Sequence, residues 1–257
     1  MKRILKALLS FLLAITAFSL VACDESPLSE VEKAIEKNEN LDSYQALIEA
    51  KVAVSWLGGS AEVPMTVEVK AEGLQGENPR IYAKKDLEIP GANVTSEIYV
   101  QGGFAYVIRG DKTSKVNLNN LKNGLSYDYS EFIDEVMAKL PETLYQEAEI
   151  KEESGAKILT VSIPDSVFDE LFSEISLTMG EMAMQSKLDQ ITSSNAIVKI
   201  EVKDGYVGTY EIGYKMTVSV GALSAEANAE IKVSFENPGE KVELTMPEGY
   251  ESFTPIN

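Results

Sequence analysis

The residues able to do chemistry in this 257-residue chain are few. Cys23 is its single thiol, and it has no histidine at all. Without imidazole the commonest general base and the commonest metal ligand are missing. Ser-His-Asp and Cys-His arrangements are therefore impossible, and one cysteine allows neither an intrachain disulfide nor a zinc cluster of thiolates. Ser154-Gly155-Ala156-Lys157 has the S-x-x-K spacing of an activated serine nucleophile, but that chemistry needs the serine at a helix start. Here the four residues fall in a hairpin turn. Met179, Met182 and Met184 invite a soft-metal reading. Only the first two share a helical face, so they read as core, or as a flexible surface for varied apolar partners. The acidic clusters lack the spacing and turn glycine of a calcium loop. The expectation is a protein that is not an enzyme, with no metal site and no cofactor.

What remains is the position of Cys23. Lys2, Arg3 and Lys6 form a cationic head, and Ala7 to Ala22 is an almost unbroken apolar run. This is the layout of a secretory signal peptide, and the run is short of the roughly 20 apolar residues of a membrane span. It ends Leu20-Val21-Ala22-Cys23, which resembles the lipobox of bacterial lipoproteins. That resemblance implies diacylglycerol and palmitate on Cys23, cleavage before it, and a protein held on the extracytoplasmic side of the cell membrane. Two acyl chains make a stable anchor where one does not. Asp24, next to the cysteine, resembles an inner-membrane retention signal of two-membrane cells.

Loss of residues 1–22 removes three of the 23 basic residues and none of the 41 acidic ones, leaving 20 against 41, a net charge of −21. Nucleic acid is excluded as a partner because phosphate contacts need a basic surface. Anionic headgroups repel such a surface, so attachment to a membrane falls to the acyl anchor.

The elements follow from periodicity. "SPLSEVEKAIEKN" predicts a helix with Pro27 at its start, a Ser29/Glu32 capping box and an apolar face of Val31, Ala34 and Ile35. From Tyr44 the period becomes two, with Tyr44, Ala46, Ile48, Ala50, Val52, Val54 and Trp56 on one face. Strands continue through "RIYAKKDLEI", "NVTSEIYVQ", "FAYVIRG" and "SKVNL", separated by glycine turns. "YDYSEFIDEVMAKLP" predicts a second helix, "YQEAEIKEESGAKILTVSI" a hairpin turning at Ser154-Gly155, and the residues after Pro164 a long helix. That helix has Phe168, Leu171, Phe172, Ile175, Met179 and Met182 on one face. The last third reads as strands again, with Tyr210, Ile212, Tyr214, Met216 and Val218 alternating, then Ala225 to Phe235, then "KVELTM". The tail after Pro247 shows no pattern. The expected architecture is α+β: a curved antiparallel sheet, an unclosed half-barrel, with helices covering its concave face.

The lipobox followed by a short helix and "NLDSYQALIEAKVAV", the long alternating strands, and the closing "AEIKVSFENPGEKVELTMPEG" together resemble the lipoprotein-carrier-like superfamily of LolA and LppX type. The likeness is to a mostly uncharacterised branch of small lipoproteins common in Gram-positive bacteria. It implies a signal peptide over 1–22, a lipidated cysteine and short tether over 23–28, and one half-barrel domain over 29–257. It also implies a lipid or other apolar ligand held between sheet and helices. The lining would come from Tyr44, Ile48, Val52, Trp56, Tyr210 and Tyr214 of the strands, and from Phe168, Phe172, Ile175, Met179 and Met182 of the long helix. The alternative is an interaction module with a self-filled core that reports envelope stress to a membrane protein partner.

Overall fold

The computed structural model describes residues 27–56, 58–89, 91–118, 148–166, 190–220 and 223–256. Helix α1 spans Pro27–Glu39. It starts at Pro27 as expected, which places Ser29 within the first turn rather than at the N-cap position of the capping-box pattern. Pro27 occupies a first-turn position, where a missing N–H costs nothing. Val31, Ala34 and Ile35 are buried along one face, and each fully buried aliphatic chain of this kind contributes about 1.5–3 kcal/mol. Asn38, one turn further on the same face, is fully buried. Asn40 ends the helix by donating from Nδ2 to the Glu36 carbonyl at 2.9 Å.

Twelve strands form one unclosed sheet. The first meander is β1 (Tyr44–Trp56), β2 (Gly59–Glu72), β3 (Arg80–Ile89), β4 (Ala92–Gln101), β5 (Phe104–Arg109) and β6 (Lys112–Asn117). The second is β7 (Glu149–Glu153), β8 (Ala156–Ile163), β9 (Gln190–Lys203), β10 (Tyr206–Val220) and β11 (Leu223–Glu236). Antiparallel pairing of β1 with β11, from Gln45↔Glu236 to Trp56↔Ala225, joins the two meanders. The hairpin turns lie where the glycines predicted them. Ser154-Gly155 and Asp204-Gly205 both have positive φ at each residue, the backbone of the tight turns that match strand twist.

Two expectations about the end of the chain are corrected. Lys241 to Met246 is not a strand. Both sides of β1 are already taken by β2 and β11, so this run bonds to side chains. Its Val242 amide donates to Ser43 Oγ and its Leu244 amide to Glu72 Oε2. The tail, which shows no pattern in sequence, makes a 3-10 turn at Tyr250–Ser252 and a short strand β12 (Thr254–Ile256). That strand lies parallel to β6 and is the one parallel pair in the sheet's strand register.

Alternation divides the sheet into an apolar and a charged face. α1 crosses the apolar face over β9 and β10. The core gathers beneath it: Tyr44, Leu159, Val198, Ile200, Val207, Tyr210, Val233 and Phe235. Among the described residues α1 is the one long helix on that face. The expected helices at 127–141 and 168–182 lie outside the described residues, so cover by several helices narrows here to cover by one.

Candidate functional site

The candidate residues separate along the strands. Tyr44 and Tyr210, 5% and 1% exposed, belong to the core under α1. Tyr44 packs edge-on against Phe235 at 5.9 Å, and burial pushes its hydroxyl up to about 12. Ile48 and Tyr214 sit half-buried at the margin of that core, and burial also raises the Tyr214 hydroxyl. Val52 is half-buried beyond it, and Trp56, at the far end of β1, is 48% exposed. One face of one strand thus runs from closed core to open surface. Phe168, Phe172, Ile175, Met179 and Met182 lie outside the described residues, as do Leu20, Val21, Ala22 and Cys23.

Towards Trp56 the apolar face narrows in side-chain volume along β11 to a trough whose floor is covered, Ala227 and Ala229 being 5% and 2% exposed. Ala225, Ala227 and Ala229 of β11 share the apolar face, opposite Trp56, Val54 and Val52 of β1 on one side and opposite Met216 and Tyr214 of β10 on the other, where the pairs are Met216↔Ala227 and Tyr214↔Ala229. The central strand therefore carries methyl groups between walls of larger side chains. Towards α1 the same face of β11 changes to Ile231, Val233 and Phe235, and the trough fills. This gradient of side-chain volume stands in the sequence. It is masked there because alternation scores an alanine and a phenylalanine alike.

The opposite face carries a feature the sequence reading did not anticipate. Across β2, β1, β11, β10 and β9 it forms an open groove of about 800 Å³. A row of alternating charge crosses it, Glu49–Lys232–Glu211–Lys199, each residue opposite the next in register. Lys232 Nζ lies 3.4 Å from Glu211. In the next row Lys51 and Glu230 are followed by Gly213 and Ile197. Finding this groove needs the order of strands across the sheet, which no local pattern supplies.

A third cluster lies on the charged face at the other wing. Tyr82, Tyr99 and Tyr106 stand side by side on β3, β4 and β5, with Tyr82 and Tyr99 rings 4.8 Å apart. Tyr250 and Phe253 of the tail close on Tyr106 at 5.0 and 6.1 Å. Tyr99 donates to Glu97 at 2.9 Å. Desolvation, then the Glu97 and Glu68 carboxylates, pushes the Tyr82 hydroxyl up to about 12. This cluster docks the tail.

Among the described residues no helix is long and apolar enough to cross a membrane, and no three acidic or thiol side chains gather as a metal cage would require. A model described as a family of unknown function, DUF6612, matches residues 29–250. No curated protein matches the chain. Among solved structures, the chain is similar to LprF from Mycobacterium bovis, at 12% identity and a TM-score of 0.45, over 88% of this chain and all of that one. It is also similar to a lipovitellin studied for lipid–protein interactions, at 7% identity and a TM-score of 0.34, over 80% of this chain and 26% of that one. A DUF1329 family protein from Desulfovibrio piger aligns at 8% identity and a TM-score of 0.26, over 84% of this chain and 94% of that one.

Proposed function

This chain belongs to the DUF6612 family, described as one of unknown function, and we propose from its own geometry that it is a membrane-anchored extracytoplasmic lipoprotein that binds an apolar ligand. The observation that carries the reading is the row of small side chains on the apolar face of β11, Ala225, Ala227 and Ala229, set between larger side chains of β1 and β10, with Ala227 and Ala229 buried. A lipid acyl chain laid over Ala225, Ala227 and Ala229, between Val52 and Val54 on one side and Tyr214 and Met216 on the other, would be held by desolvation. Burial of apolar area contributes about 25 cal/mol per Å², and no covalent step is needed.

In this reading residues 1–22 are the signal, Cys23 carries the diacylglyceryl anchor and 29–257 act as one domain. Helix α1 begins at Pro27, four residues after Cys23. At no more than about 3.6 Å per residue, that tether keeps α1 within about 15 Å of the anchor point. The acidic surface would face the bilayer without adhering to it.

Native mass spectrometry of the gently purified chain should show bound lipid, and a dansyl-labelled fatty acid should bind and be displaced by palmitate. Val52→Asp should abolish that binding while leaving the fold intact, since Val52 lies outside the core. A wild-type chain with neither bound lipid nor probe binding would sink the carrier reading and leave the interaction module with a self-filled core.

A further inference from the structure

The groove on the charged face is independent of the apolar trough. Three features set it apart from an ordinary solvated strand face.

The first is its floor. Gly213 lies mid-strand in β10, its φ is not in the left-handed region, and a Cβ built there would meet nothing within 4 Å. Neither backbone conformation nor packing excludes a side chain from the groove at this point. Glycine inside a strand weakens it and often marks the close approach of another molecule. The second is Ile197, opposite Gly213 on β9. It is 40% exposed, a large apolar side chain in the middle of a charged face. The third is the state of the lysines. Lys51 is bridged to Glu62 and Lys232 to Glu211. Lys199 and Lys215 line the same groove and make no ion pair among the described residues. They stand two residues from Ile197 and from Gly213 on their strands, so two uncommitted ammonium groups flank a bare apolar floor. In a chain of net charge −18, a groove lined by four lysines and three glutamates is close to neutral once the Glu62 bridged to Lys51 is counted.

We propose that this groove is a binding site for an amphiphilic organic anion, its phosphate or carboxylate held by Lys199 and Lys215 and its hydrocarbon part resting on Ile197 and the exposed backbone of Gly213. About 800 Å³ is within the range of ligand pockets, roughly 300–1,000 Å³. Charge-assisted hydrogen bonds to the head give orientation, and the small apolar floor discriminates against inorganic phosphate. The glycine at a register shift between Gly213 and Lys215 also serves to bend β10, and the experiment separates the two roles.

Hexyl phosphate is the probe, titrated calorimetrically into the full chain, with hexanol and inorganic phosphate as comparisons. Hexyl phosphate should bind more tightly than either and weaken with added salt. Lys199→Gln with Lys215→Gln should cost about tenfold or more in affinity. Gly213→Val should fill the floor and remove binding while keeping or raising the melting temperature, because a β-branched residue suits a strand. Should that variant fail to fold, the lysine pair alone decides. Val52→Asp should leave this binding unchanged, which separates it from the apolar trough. Vesicles of phosphatidylglycerol that displace hexyl phosphate identify a lipid headgroup as the source, and vesicles that do not identify a soluble anion. The proposal is overturned if hexyl phosphate does not bind, if the lysine pair can be neutralised without loss, or if Val52→Asp rather than the groove variants abolishes binding.

Discussion

The amide and carbonyl of Val207 are both met by one side chain, Asn38, across the bulge at Gly208. The Val207 N–H donates to Asn38 Oδ1 at 3.0 Å, and Asn38 Nδ2 donates to the Val207 carbonyl at 2.9 Å. Both residues are completely buried, so no water can replace the amide. Asn38→Ala should cost about 2–4 kcal/mol, because it strands two backbone groups rather than one. A lower urea midpoint with an unchanged slope would show it. Lys37, next door, lies 3.6 Å above the Tyr206 ring and clamps the same hairpin from outside. The tyrosines make a second residue-scale prediction. Tyr44 and Tyr82 titrate near 12 in the fold against about 10 when unfolded. The folded chain therefore holds these protons more tightly. Stability should be level below pH 10 and fall as pH rises from about 10 to 12. Tyr44→Phe should flatten part of that loss in urea midpoints taken across the range, and a profile identical to wild type would remove Tyr44 from the account.

At the scale of elements, the tail is a latch. Phe253 is buried against Tyr106, and β12 pairs with β6 three residues long. Phe253→Ala should cost about 3 kcal/mol, felt first at the edge. Amide exchange should speed up in β5 and β6 while β9 and β10 stay protected. This latch was not legible, because three apolar residues, Tyr250, Phe253 and Ile256, are too short a run to fix an element and their partners are more than 130 residues away. The β-strands were legible: period two from Tyr44 and again from Tyr206 located them to within a few residues, and glycine-bearing turns separated them. The false strand at Lys241–Met246 had the same alternation, but the β1 strand it runs beside is already paired on both sides by β2 and β11, which is a property of the assembled topology. The site was half legible for a similar reason. Alternation tells which face Tyr44 and Trp56 share, but their opposite burial depends on where α1 crosses. β11's alanines showed the trough in sequence only to a reader weighing volume as well as polarity.

Among the described residues the chain is one sheet and the helix α1, with two chemically different sheet faces and a candidate site on each. If the anchor reading holds, Cys23→Ala should take up no labelled palmitate and should leave the membrane fraction, while its unfolding free energy stays within about 0.5 kcal/mol of wild type, since changes away from the core cost little. Retention of Cys23→Ala in membranes would overturn it. The edges are guarded in different ways. β7, "EIKEE", carries charge along its length, which discourages a second chain from pairing there, and the opposite edge ends in the short β12.

The pairing of β1 with β11 has a consequence in time. The centre of the sheet is made from a strand that ends at Trp56 and one that begins at Leu223, so the middle of the structure cannot be completed until β11 has been made, with only the tail and β12 still to follow. Closing a loop of that length is entropically costly and slow. A chain leaving the cell from its N-terminus would carry β1 across with one flank unpaired until residue 236 had followed. Until then the seam stays open, which keeps the chain threadable through a narrow pore. Folding and passage are thereby ordered by topology, and the last long strand to arrive locks the first one in place.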